Sequence, residues 1–276
     1  MRPFYQITEK NVPVVKKAAT FKLQQRETMK FNKTIGDKRT SAFAKYRHVC
    51  YGTVSLPRVL ASEIILLLVN GLPGALGFWL RGKLYRFMFE AVGQGVIFGR
   101  NMTLRHARKI RIGNNVVVDD NVVLDAKGDH NRGITIGDNV YIGRNTIVYC
   151  KDGDIVLEHK VNLSSNCQIF SSNRLVVGSG TVVGAFSYFL SGGEYDSTCT
   201  TPFADQDVQP SKGPLHIGPN AWIGAHVIVT DASTIGEHCV IGAGAVVTRP
   251  IPPHNVAVGV PARVVKPLPA SGSAHE

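Results

Sequence analysis

The chain has 276 residues, 44% of them hydrophobic, and a formal net charge of +11. That apolar content suffices for a core and excludes a disordered chain, while 28 glycines beside an aromatic fraction of 8% suit a structure with many corners. Five cysteines, odd in number, widely spaced and without a C-x-x-C pair, exclude a disulfide framework and a cysteine metal site.

Residues 1–50 hold twelve Lys or Arg against three acids, so about +9 of the net charge lies in this basic N-terminal arm. Such a block reads as a solvated tail or as attraction to an anionic surface. No nucleic-acid motif accompanies it, and no nucleic-acid partner is expected. The opening MRPFYQITEKNVPVVKK lacks the apolar stretch of a signal peptide. Together with dispersed thiols, this places the expected location in the cytoplasm or at the inner face of the membrane.

Residues 51–92 are apolar. Ile64 to Leu80 carries no charge but is interrupted by Asn70-Gly71-Leu72-Pro73-Gly74. A membrane span needs about 20 apolar residues, so the expectation is two short helices joined by a turn. Three arrangements stay open. One is a helical hairpin capping the domain that follows; another is an interfacial element on a membrane, making residues 1–90 a peripheral membrane contact; the third is a full transmembrane span.

From residue 93 to 249 the chain follows a six-residue grid. Ile112, Val118 and Leu124 are six apart, as are Ile136, Ile142 and Val148, then Leu157, Leu163 and Ile169, then Val177 and Val183, and finally Ile217, Ile223, Val229, Ile235, Ile241 and Val247. Neither a helix nor a simple strand has this period. It fits a chain that runs straight, turns a corner and repeats, with one aliphatic side chain per side pointing inward. Gly and Asn, which tolerate the positive φ of a tight corner, follow many grid positions, as in Gly113-Asn114-Asn115 and Gly137-Asp138-Asn139. Three sides close a coil of about 18 residues, and stacked coils bury each other's apolar faces. Between Val183 and Ile217 a loop, residues 190–214, must leave the coil. Pro250, Pro252, Pro253 and Pro261 mark 250–276 as a Pro-rich tail.

The segment IGPNAWIGAHVIVTDASTIGEHCVIGAGAVVTRPIPPHNVAVGVPARVVK (217–266) resembles the C-terminal half of the hexapeptide-repeat acyltransferases. It is similar in particular to the maltose, galactoside and surface-polysaccharide O-acetyltransferases, and the resemblance covers about residues 93–267. It implies a mainly β fold, a left-handed parallel β-helix here preceded by a helical cap. It also implies a homotrimer that moves an acetyl or other acyl group from acyl-CoA to a hydroxyl of a sugar or polysaccharide precursor.

In that family a histidine removes the acceptor proton and a backbone N–H stabilises the oxyanion. The resemblance assigns Asn166 to the acceptor sugar. It assigns Trp222, Gly224, Ala225, Gly242 and Ala243 to the cleft holding acetyl-CoA, and Arg249 and Arg263 to its phosphates. The family histidine is missing, because no histidine occurs between His159 and His216. The matching segment reads LSGGEYDSTCTTPF, which puts Tyr195 at the histidine position between Glu194 and Asp196. A phenol with an ordinary pKa of about 10 is only about a thousandth ionised at pH 7. Three readings stay open: Tyr195, Glu194, Asp196 or Asp205 is the base; His226 or His216 reaches the cleft; or the protein is a catalytically silent CoA- or sugar-binding or scaffold subunit. No histidines show metal-ligand spacing, so no metal is expected in the mechanism.

Overall fold

The computed structural model describes residues 40–206 and 208–269, so most of the basic arm lies outside the described residues. From Ala91 onward short strands alternate with corners and build three sheets. Sheet A has seven strands, from Ala91–Val92 to Thr234–Ile235; sheet B has nine, from Ile97–Phe98 to Arg263–Pro267; sheet C has seven, from Thr103–Arg105 to Val246–Val247. Each coil contributes one strand to each sheet and pairs in parallel with the next. Leu157 lies against Val177, Leu163 against Val183 and Ile169 against Phe189. The result is a three-sided parallel β-helix of about eight turns.

The grid residues form its interior. Each of the aliphatic positions from Ile112 to Val247 named above is no more than 3% exposed. Burying one such side chain contributes about 1.5–3 kcal/mol, and every coil repeats the gain. Phe98, Leu104 and Phe189 extend the pattern, all buried. At the A–B and B–C corners Asn115, Asn139, Asn121, Asn145 and Asn166 all have φ between 54° and 60°. Their amides stack along each edge: Asn121 donates to Asn145 and Asn145 to Asn166, each at 3.2 Å.

The step exceeds six residues only where sheet C passes to sheet A. That edge takes the extra residues between Leu104 and Ile112, Leu124 and Ile136, Val148 and Leu157, Ile169 and Val177, and Phe189 and Ile217. All the longer excursions therefore project from one edge of the prism.

Three helices close the N-terminal end: α1 (Ala42–Tyr51), α2 (Leu56–Val69) and α3 (Gly74–Leu84). Helix α1 falls within the last part of the stretch read as an arm. Ser41 caps it, accepting from the Ala44 N–H at 3.2 Å. Tyr85, Met88 and Phe89 are buried behind Phe98, whose ring stacks on Phe89 with centroids 5.5 Å apart. The buried Arg81 guanidinium donates to the Phe98, Val69 and Leu72 carbonyls at 3.0, 3.1 and 2.7 Å, so its burial leaves no unpaired charge-bearing donor at these contacts. At the other end the Pro-rich stretch contains structure. Asn255–Val258 adds to sheet B beside Val240–Ile241, and Arg263–Pro267 pairs back on it antiparallel.

Candidate active site

Position within the six-residue repeat decides which edge a residue occupies. Asn166, Gly224, Ala225, Gly242 and Ala243 all fall at the B–C edge, on coils stacked above one another. With Gly184-Ala185 they form a stripe of small residues. A Cβ on Gly184 would stand 2.5 Å from the Ala225 nitrogen, and one on Gly224 2.6 Å from the Ala243 nitrogen, so neither position admits a larger side chain. Beyond the stripe, Gly244 has φ 72° and nothing within 4 Å of where a Cβ would be, so the edge is open at that corner.

Trp222 stands beside this stripe on the outer face of sheet B, 62% exposed, with Val182 and Val240 as its ladder neighbours. Arg263 pairs with Val258, whose side chain covers Gly242, so the exposed guanidinium-bearing residue borders the same stripe. Asn166 is half-buried, with its amide oxygen taken by Asn145.

The loop residues belong to the other end of sheet C. Glu194, Tyr195 and Asp196 follow strand Tyr188–Ser191 at the C–A edge, where the exposed Arg249 also lies. The loop is pinched at its base. Gln209 N–H donates to the Glu194 carbonyl at 2.7 Å, and a Cβ on Gly193 would collide with the Gln209 carbonyl at 1.5 Å. Its returning limb is tied to the corner after strand Ile228–Val229 by Asp231, which accepts from the Ser211 hydroxyl at 2.7 Å and the Lys212 N–H at 2.6 Å.

The four candidate bases have different surroundings; Asp205 is exposed at the end of the short helix Phe203–Asp205. Asp196 Oδ1 accepts from the Thr198 hydroxyl at 2.6 Å and its N–H at 2.8 Å, and these bonds hold its carboxyl below the usual range. A carboxylate so satisfied is a weaker base. Tyr195 is half exposed, its ring 6.0 Å from that of Phe203. Glu194 is exposed and meets Lys212 Nζ at 2.7 Å, a contact that raises the lysine's pKa.

One chain thus gathers seven of the sequence-assigned residues at or beside the B–C edge and four at the C–A edge, but it does not join the two groups. Strand Tyr188–Ser191 alone separates the edges by about 13 Å, at ~3.3 Å per residue. Sequence reasoning missed two features. The sequence offers His226 as a histidine that reaches the cleft from elsewhere in the assembly, without its partner: it stacks on Phe186 at the B–C edge, centroids 5.0 Å apart and planes within 5°. The signal was available: both residues hold the corner position that Asn occupies in earlier coils. Lys212 and Gln206, which brace the loop around Glu194 and Asp196, carried no periodic signal. His216 stands exposed on the outer face of sheet A. Among the described residues no three His, Cys, Asp or Glu come together as potential metal ligands.

Residues 214–249 match the family model described as bacterial transferase hexapeptide (six repeats), and they lie within the stacked coils of the parallel β-helix. Among similar proteins, a putative acetyltransferase of Staphylococcus aureus is 40% identical over 108 residues, covering 33% of this chain and 54% of the relative. The galactoside O-acetyltransferase of Escherichia coli is 53% identical over 55 residues, 20% of this chain and 27% of the enzyme. The chain thus spans about half the length, or less, of these curated relatives. In fold it is similar to a variant of the N-acyltransferase AntD from Bacillus cereus, with TM-score 0.50, 23% identity, and 70% and 91% of the two chains covered. It is similar also to the UDP-N-acetylglucosamine acyltransferase of Campylobacter jejuni, with TM-score 0.50, 16% identity and 64% of each chain covered.

Proposed function

We propose that the protein is a CoA-dependent acyltransferase, acting on a sugar hydroxyl at a cleft formed between two copies of the chain in a homotrimer. The observation that carries this reading is the small-residue stripe at the B–C edge, Gly224-Ala225 over Gly242-Ala243, half-buried to exposed and flanked by exposed Trp222 and Arg263. A narrow pantetheine arm can lie against such a backbone, the indole can cover it, and the guanidinium can meet a phosphate. The sequence of this stripe lies within or borders the segment matched by the transferase hexapeptide model, and the relatives named above include acetyltransferases.

The loop of the neighbouring copy would supply the base. Among its candidates Glu194 is favoured, since Asp196 is committed to Thr198 and a phenol is mostly protonated near neutrality. Glu194 would take the proton of the sugar hydroxyl as its oxygen attacks the thioester carbonyl. The C–S bond then breaks, and the proton passes to the departing thiolate, so the products are the sugar ester and free CoA thiol. Lys212 would fix the carboxylate's direction. The acceptor side would include Asn166. The cytoplasm, where acyl-CoA is found, is the proposed location.

Thiol release from acetyl-CoA is the direct test, with simple sugars and glycan precursors as acceptors. Glu194→Gln should lower kcat by about 10²–10⁴-fold, whereas Tyr195→Phe should change it little. Normal turnover in Glu194→Gln would remove Glu194 from the mechanism. CoA binding without thiol release on any acceptor would favour the silent, ligand-binding reading.

A further inference from the structure

The N-terminal helices cap the core with one side and leave the other side apolar. Helix α2 presents Leu60, Ile64, Leu67 and Leu68, spaced so that they share one face, with Leu67 85% and Leu68 63% exposed. Helix α3 and the turn after it add exposed Phe78, Trp79 and Phe87. Soluble surfaces rarely gather so many large apolar side chains on so short a segment.

Charge on this segment has one sign at the surface. Arg58, Lys83 and Arg86 are exposed, while Glu63, the single acid within residues 51–89, is turned onto Tyr46 and Tyr51 with hydrogen bonds of 2.5 and 2.6 Å. The arm before it adds about +9 over residues 1–50. A second copy docking face to face through this surface would set these cations against themselves. An anionic partner with an apolar interior would satisfy both the cations and the leucines.

We propose that α2, α3 and the following turn dock on the surface of an anionic lipid bilayer. The aliphatic face of α2 enters the acyl boundary, Trp79 sits at headgroup level, and Arg58 and Lys83 meet lipid phosphates, with the arm adding attraction. The element lies on the bilayer and does not cross it. No single helix among the described residues is long and apolar enough to span, and α1 with α2 passes that test only as a pair bent by 77°. That bend is built in, because the His106 N–H donates to the Cys50 carbonyl at 2.8 Å and ties α1 to the β-helix, while Val59 and Val69 of α2 are buried.

The test uses the full chain and sedimentation with phosphatidylcholine vesicles, with or without phosphatidylglycerol. The chain should pellet with the anionic vesicles, less so as salt rises. Leu67→Glu/Leu68→Glu should weaken pelleting at least about tenfold, and Lys83→Glu should weaken it on anionic vesicles. Both sites are exposed, and a circular-dichroism melt checks folding. In Trp222→Phe, where Trp79 is the remaining tryptophan, emission should shift to the blue on anionic vesicles. Absent pelleting, or pelleting untouched by both variants, overturns the proposal. So does a variant that changes the oligomer's mass and leaves pelleting intact, since a second copy would then be the occupant.

Discussion

Phe186 occupies a corner with φ 62° and is 54% exposed, where other coils place Asn101, Asn121, Asn145, Asn166 or Gly244. A bulky L-residue in that region costs about 1–2 kcal/mol, and stacking on His226 returns about 0.5–1.5 kcal/mol. The two terms nearly cancel, so the sign of a substitution depends on which one it removes. Phe186→Asn removes both strain and stack and should leave stability unchanged or raise it by up to about 1 kcal/mol. Phe186→Ala keeps the strained backbone and loses the ring, and should cost about 1 kcal/mol. Denaturant melts that give both variants the same sign would refute the balance. Tyr46 offers a pH test. Its hydrogen bond to Glu63, helped by partial burial, raises the phenol's pKa from 10.0 to about 12. A folded pKa above the unfolded value means this contact stabilises fully below pH 10 and is lost as pH rises through about 12. The Tyr46 ring signals, resolved by NMR in a Tyr51→Phe background, should show the late titration, and Glu63→Gln should bring it back toward about 10. A parent Tyr46 that already titrates near 10 would contradict the Glu63 contact.

Neighbouring coils are joined by a repeated device as well as by strand pairing. Thr181 is fully buried; its hydroxyl donates to the Gly218 carbonyl at 3.0 Å and accepts from the Ala221 N–H at 3.2 Å. Thr146 does the same between Ser164 and Cys167, and Ser187 between Gly224 and Val227. Each closes two backbone groups that water cannot reach. Thr181→Val keeps the shape but strands both, and should cost about 2–3 kcal/mol. The exposed Thr135→Val on sheet A should stay within about 0.5 kcal/mol, and equal losses in the two melts would deny the device its role. These hydroxyls were hidden in the sequence because Thr and Ser are equally at home on an outer face. The inward aliphatics were legible, since a period of six leaves one consistent way to point Ile217 through Val247 inward. Corner asparagines were legible for the same reason. The candidate site was legible only as far as the repeat reached: hexad position locates Gly224 and Gly242, but nothing periodic links Glu194 to Lys212 or Ser211 to Asp231. Those contacts join segments on either side of the loop, where chain order no longer encodes position.

At the scale of the whole molecule, the repeat imposes a separation that one chain cannot overcome. Every B–C corner stacks above the last, and so does every C–A corner, so the small-residue stripe and the Glu194 loop occupy different edges of the same prism. If the proposed reaction needs both, a second chain must bring its loop to the first chain's stripe, and a cyclic assembly with head-to-tail interfaces does this at every junction. The consequence is measurable by complementation. Glu194→Gln spoils only the loop half, and Ala225→Trp fills only the stripe half. Each variant alone should be inactive. Co-expressed in equal amounts and mixed at random, they regenerate junctions where an intact loop meets an intact stripe, about one in four. Thiol release should therefore recover to about a quarter of the parent rate, and should vanish again when the two variants are purified separately and combined without subunit exchange. If one chain held both halves, no mixture could restore turnover, because every chain in it carries a defect.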